Sequence, residues 1–98
     1  MEVEIKKEGT AMMIIPEGRI DTVTSPEFEE KVLESITGIT ELTFDLKKVV
    51  YLSSAGMRVF MGVQKIMIEK GEMELINVNE DIYEVLDMVG LTDVFTIK

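Results

Sequence analysis

Residues 51–60, with the sequence YLSSAGMRVF, join the end of a strand to the start of a helix without a linker between them. The apolar run 49–52 is typical of a short strand. Helical spacing of apolar residues follows up to residue 70, where Gly71 predicts the end of the helix. Strand–helix–strand crossovers of this length predict an α/β fold in which part of the sheet is parallel.

The rest of the chain repeats this alternation of strands and helices. Apolar-rich runs at 3–5, 11–15, 41–46, 73–78 and 94–97 predict strands, the first two as a hairpin, and 16–21 continues as an extended segment. Ser25 is the predicted N-cap of a first helix that ends at Gly38, and Asn79 of a third helix that ends at Gly90. The order is β-β-α-β-α-β-α-β in one domain over residues 1–98, with the helices on one face of a mixed sheet.

The middle helix carries two apolar stripes. The first is the expected core face and consists of Val59, Phe60, Val63, Ile66 and Met67. The second, roughly 140° further around the helix, consists of Met57, Met61 and Ile68. One helix on one face of a sheet does not need so wide an apolar surface, so the second stripe either packs on a neighbouring helix or stays exposed for a partner.

Composition excludes several kinds of site. The chain has no cysteine and no histidine, which excludes disulfides and thiol nucleophiles and removes the commonest general base and metal ligand. A net charge of −9 disfavours nucleic acid and anionic membranes as partners; it suits a partner with a basic face, or simply solubility. The chain has no glycine-rich phosphate loop, so no cofactor is expected. It has no apolar run of membrane-spanning length, so we expect a soluble cytoplasmic protein.

Ser53 and Ser54 stand where the middle helix begins. The first N–H groups of a helix have no internal partner and can hold a phosphate, and Ala55 and Gly56 bring no bulky side chain to obstruct it. Alternatively, one of the serines is only an N-cap. The segment 18–25 can form local turns at Asp21 and Thr22. Asp45, at a strand end, either stabilises its own turn or positions a serine hydroxyl.

At these residues the chain resembles the STAS domains of anti-sigma factor antagonists. The resemblance covers essentially the whole chain and is most specific in EGRIDTVTSPEFE (17–29), DLKKVVYLSSAGMRVFM (45–61) and VLDMVGLTDVFTI (85–97). It implies a protein that is not an enzyme and that binds an anti-sigma factor serine kinase, so that the sigma factor is released. Phosphorylation at the start of the middle helix ends this binding, and a PP2C-type phosphatase restores it.

The family pattern Asp-Ser-Ser/Thr-Gly is replaced here by Ser53-Ser54-Ala55-Gly56. Because alanine stands at the position that is often phosphorylated, Ser54 is the expected acceptor and Ser53 the alternative. The partner-binding residues that the resemblance implies are Asp21, Thr22, Ser53, Ser54, Ala55, Met57, Arg58 and Met61. The free protein is expected to be a monomer. A constitutive interaction or scaffold module without a phosphate cycle is the alternative function.

Overall fold

The computed structural model describes residues 1–98 and contains seven strands and three α-helices. The strands are β1 (Val3–Glu8), β2 (Ala11–Pro16), β3 (Gly18–Ile20), β4 (Glu41–Asp45), β5 (Val49–Leu52), β6 (Glu72–Ile76) and β7 (Thr96–Ile97). The helices are α1 (Ser25–Ser35), α2 (Ser54–Lys70) and α3 (Glu80–Met88). None of them combines the length and the apolar character that crossing a membrane requires.

Five strands form one mixed sheet in the order β1-β2-β4-β6-β7. The β1–β2 hairpin is antiparallel, and the other neighbours in this sheet are parallel. The predicted α/β fold with a partly parallel sheet is therefore confirmed.

The extended segment after β2 forms a second, smaller sheet. Strand β3 pairs in parallel with β5, so that Arg19 lies opposite Tyr51 and Ile20 opposite Leu52. The sequence predicted both stretches but not their pairing, because residues far apart in the chain leave no local signal of their contact.

The core lies between the larger sheet and the helices. Phe28 of α1, Phe44 of β4 and Phe60 of α2 are fully buried and meet edge to face, with ring centroids 4.9 to 6.1 Å apart. Ile82 and Leu86 of α3 belong to the same core. Aromatic pairs in this arrangement add about 0.5–1.5 kcal/mol each to the burial of their surface.

The opposite face of the sheet is not covered by helices. Along β4, Leu42 and Phe44 are buried, whereas Glu41 is exposed and Thr43 is half-buried. Successive strand residues point to opposite faces, so this alternation places the helices on one side only, as predicted.

The buried arc of α2 differs from the predicted one at one position. Val59, Phe60, Val63 and Met67 are buried as expected, but Ile66 is 37% exposed. The prediction was wrong for Ile66 because the buried arc is rotated toward Met57, which also joins the core. At about 100° per residue, Ile66 lies roughly 90° from the centre of that arc.

The start of α1 also differs from its prediction. Ser25 is the first helical residue rather than the N-cap, which is Thr24, and the helix ends at Ser35, before Gly38. The backbone carbonyl of Asp21 accepts a hydrogen bond from the Ser25 N–H at 2.9 Å. The turn that begins at Asp21 therefore continues directly into the helix, and Ser25 lies inside the first turn instead of capping it.

The predicted last strand, 94–97, is shorter in the structure. Leu91–Asp93 form a 3-10 helix, and strand pairing covers Thr96–Ile97. Phe95 packs on Phe60 with a centroid distance of 6.4 Å, so burial of this ring holds the segment before β7 against the core.

Candidate functional site

The two serines at the start of α2 occupy different positions. Ser53 is the N-cap: its backbone is extended, and its Oγ accepts a hydrogen bond from the Gly56 N–H at 3.3 Å. Ser54 is the first helical residue, and its side chain is exposed. The structure therefore joins both sequence interpretations, since Ser53 is a structural cap and Ser54 presents a free hydroxyl beside it.

Gly56 brings the start of α2 against β3 and β5. A Cβ atom at this position would lie 2.7 Å from Ile20 Cγ2 and 2.7 Å from Leu52 Cδ1. Ile20 also accepts a backbone hydrogen bond from the Ser53 N–H at 2.9 Å. This close approach places the loop that follows Ile20 directly beside the two serines.

That loop is a hydrogen-bonded turn. Asp21 Oδ1 accepts from the N–H groups of Val23 and Thr24 at 3.0 and 3.1 Å, and Thr24 Oγ1 accepts from the Asp21 N–H at 2.9 Å. The hydrogen bonds that the carboxylate accepts, of which the one from the Thr24 N–H contributes most, lower the pKa of the Asp21 carboxyl. The local-turn interpretation of Asp21 is correct, and the turn presents Thr22 to a cleft that Ala55 and Arg58 also line.

A shallow groove lies on the other side of Ser54. Its lining residues come from α2 and from the segment after α3, and they are Ser54, Met57, Arg58, Met61, Val89 and Leu91. Met57 and Leu91 form the floor, with 8% and 7% of their surface exposed, and Val89 forms an open wall with 58% exposed. A small apolar surface with one cation therefore borders the free serine hydroxyl.

The second stripe of α2 divides between the two predicted alternatives. Met57 is buried against the core and Met61 is half-buried beside it, whereas Ile68 is 68% exposed, far along the helix from the serines. Met57 and Met61 line the groove together with Val89 and Leu91 of the segment after α3. The groove beside them is the part that a partner could reach.

Asp45 does not meet either serine. Its carboxylate accepts hydrogen bonds from Asn77 Nδ2 at 2.9 Å and from the Lys47 N–H at 3.1 Å, and Lys47 Nζ lies 3.3 Å away. Burial alone would raise the pKa of Asp45, but these hydrogen bonds outweigh it and lower the pKa. Of the two predicted roles, stabilising its own turn is correct.

The comparison with known proteins bears on this geometry. The family model described as "STAS domain" matches residues 2–98. The chain belongs to the STAS domain family.

Relatives and solved structures agree with this membership. The anti-sigma-B factor antagonist of Bacillus subtilis (strain 168) is 30% identical over 100 residues, which cover 100% of this chain and 91% of the relative. The crystal structure of an anti-sigma factor antagonist from Mycobacterium paratuberculosis superposes with a TM-score of 0.89 at 18% identity, covering 98% of this chain and 83% of that one. The Bacillus cell fate determinant SpoIIAA in its phosphorylated form gives 0.76 at 15% identity, covering 99% and 91%.

The STAS fold gives the departure from the family pattern a physical meaning. Ala55, which replaces the acceptor residue expected from the resemblance, is half-buried at the second position of α2. Ser54 stands one residue earlier, where the side chain is exposed. The exposed side chain at the start of α2 is therefore that of Ser54.

Sequence reasoning did not single out three residues in or near the two serines' surroundings. Val23 is 86% exposed at the tip of the Asp21 turn, and Val89 walls the groove. The Arg19 guanidinium lies 4.2 Å from the ring centroid of Tyr51, a cation–π contact between β3 and β5. An apolar residue inside a polar turn could have signalled Val23, but the placement of the others depends on contacts between distant segments.

Proposed function

We propose that this STAS domain is an anti-sigma factor antagonist whose unphosphorylated form binds an anti-sigma factor serine kinase. The observation that carries the proposal is the exposed Ser54 hydroxyl at the start of α2, beside an apolar groove. The relatives named as anti-sigma factor antagonists support the same function. The binding surface combines Asp21 and Thr22 with the residues around Ser54 on α2.

Phosphate transfer to Ser54 would switch this binding off. The Ser54 oxygen attacks the γ-phosphorus of ATP, the bond to the β–γ bridging oxygen breaks, ADP leaves, and the hydroxyl proton passes to a base of the kinase or to water. The product adds about −1.5 to −2 charges next to the groove. A partner that buries its apolar side chains there would have to desolvate this charge, which makes the complex unfavourable.

Ser54 is the better acceptor of the two serines. Ser53 is half-buried, and its Oγ caps the helix, so phosphorylation there would disturb a contact that holds α2 in place. Phosphate on Ser54 leaves the cap intact. The switch then changes the surface without changing the fold.

The remaining parts of the proposal follow from the same role. The chain acts as a single binding domain over residues 1–98 and not as an enzyme, is monomeric when free, works in the cytoplasm, and is returned to its active form by a PP2C-type phosphatase. Its net charge of −9 favours a partner with a basic binding face.

A phosphorylation assay tests the proposal. The chain is incubated with ATP and an anti-sigma factor serine kinase from the same genome, and intact mass and phosphopeptide mapping follow. We expect one phosphate on Ser54, none on the Ser54→Ala variant, and wild-type phosphorylation of Ser53→Ala. Phosphate on Ser53 would move the acceptor by one residue. Kinase binding without phosphorylation of either serine would instead favour the constitutive scaffold.

A further inference from the structure

Arg58 is an uncommitted cation beside the proposed switch. The structure contains six ion pairs, and Arg58 is in none of them. The other arginine, Arg19, is held by Asp21 at 3.4 Å and by the ring of Tyr51. An exposed arginine without a partner in a chain of net charge −9 is free to bind an anion.

Helical spacing places Arg58 next to Ser54. Residues four apart on a helix are neighbours on its surface, and both side chains line the groove with Met57 and Met61. Arg58 is the only charged residue in that groove. Arg58 also lines the cleft beside Thr22 and Ala55, where the only carboxylate is that of Glu29. The Arg58 guanidinium and the Glu29 carboxylate are more than 4.0 Å apart and form no ion pair.

We propose that Arg58 is the intramolecular ligand of the phosphate on Ser54, and that phosphorylation also acts by withdrawing this guanidinium from the binding surface. A guanidinium can donate two parallel hydrogen bonds to a phosphate, which makes Arg58 a better ligand than a lysine would be. In the unphosphorylated chain the same group is free for a carboxylate of the partner. This inference rests on the proposed function for its biological meaning, but the pairing itself depends only on the chain.

The test uses full-length chain with phosphoserine placed at position 54 by genetic encoding, so that no kinase is needed. Phosphorus NMR follows the second ionisation of the phosphoserine, whose pKa is about 6 in the absence of a partner. We expect this pKa to be lower in the wild-type background than in Arg58→Gln by about 0.15–0.4 pH units. Arg58→Lys should fall between them, and Lys65→Gln, which removes an equal charge from the far part of α2, should match the wild type.

The outcomes separate the two ideas. An equal pKa in the wild type and Arg58→Gln, or an equal shift in Lys65→Gln, would overturn the pairing, since the effect would then be absent or due to net charge alone. A lowered pKa that depends on Arg58, together with no kinase-dependent phosphate on Ser54, would support the pairing and contradict the proposed function. Phosphorylation of Ser54 by the kinase without any effect of Arg58 on the pKa would support the proposed function and overturn the pairing.

Discussion

At the scale of single residues, the neighbouring serines of α2 should differ in what they contribute to stability. Ser53→Ala removes the cap that the Gly56 N–H uses, and we expect it to lower the free energy of unfolding by about 0.5–2 kcal/mol. Ser54→Ala changes an exposed residue outside the cap and should stay within about 0.5 kcal/mol of the wild type. Urea denaturation followed by circular dichroism measures both. Equal losses in the two variants would contradict the assignment of Ser53 as the cap.

Asp45 should make stability depend on acid pH. Because its pKa is lower in the folded chain than in the unfolded chain, the carboxylate stabilises the fold above about pH 4, and this contribution disappears as the pH falls further through the folded value. We expect Asp45→Asn to lower the free energy of unfolding by about 1–3 kcal/mol at pH 7. The stability of this variant should also decline less steeply than that of the wild type as the pH falls.

Denaturation midpoints between pH 2 and 7 test this expectation, with Glu30→Gln as an exposed control for the same change of charge. If the acid dependence of Asp45→Asn were as steep as that of the wild type, other carboxylates would have to account for it.

At the scale of elements, the position of α2 depends on one glycine. The Cβ of Gly56→Ala would meet Ile20 and Leu52 at 2.7 Å, closer than real contacts allow, so the start of the helix must move away from β3 and β5. We expect the free energy of unfolding of Gly56→Ala to be lower than that of the wild type by about 1–3 kcal/mol, as is typical of overpacking.

Gly62 provides the matched control, because it lies in the same helix and a Cβ there has no atom within 4 Å. Gly62→Ala should therefore stabilise the chain by about 0.5–1 kcal/mol through helix propensity. Thermal unfolding of the pair gives the answer. A stabilising Gly56→Ala would show that the helix start is not held against the strands.

At the scale of the whole molecule, the groove exists only because α2 and the segment after α3 meet. Met57→Asp is a poor probe of the groove, because Met57 belongs to the core and a buried carboxylate would threaten the fold. Val89→Asp changes an exposed wall instead. We expect it to weaken kinase binding at least about tenfold, or roughly 1.4 kcal/mol, while the fold survives.

Ile68→Asp makes the same substitution on an exposed residue of α2 away from the groove, and it should bind the kinase like the wild type. Calorimetry compares the two affinities, and circular dichroism checks that both variants fold. Wild-type affinity in Val89→Asp would remove the groove from the interface, and weakening in both variants would point to charge rather than to a local contact.

Local patterns were sufficient for much of this protein. Apolar periodicity and the residues Asn79, Gly71 and Gly90 predicted the order of the elements, and the Ser53–Gly56 motif located the start of α2. These features depend on residues close together in the chain, where propensity and capping act.

Only the tertiary structure decided which side chains share a surface. It paired β3 with β5, buried Met57 rather than Ile66 on α2, and brought Val89 and Met61 to one groove. It also separated Asp45 from the serines and gave it Asn77 as a partner. Contacts of this kind join segments distant in sequence, and their geometry is fixed by how the whole core packs, for which no local pattern carries a signal.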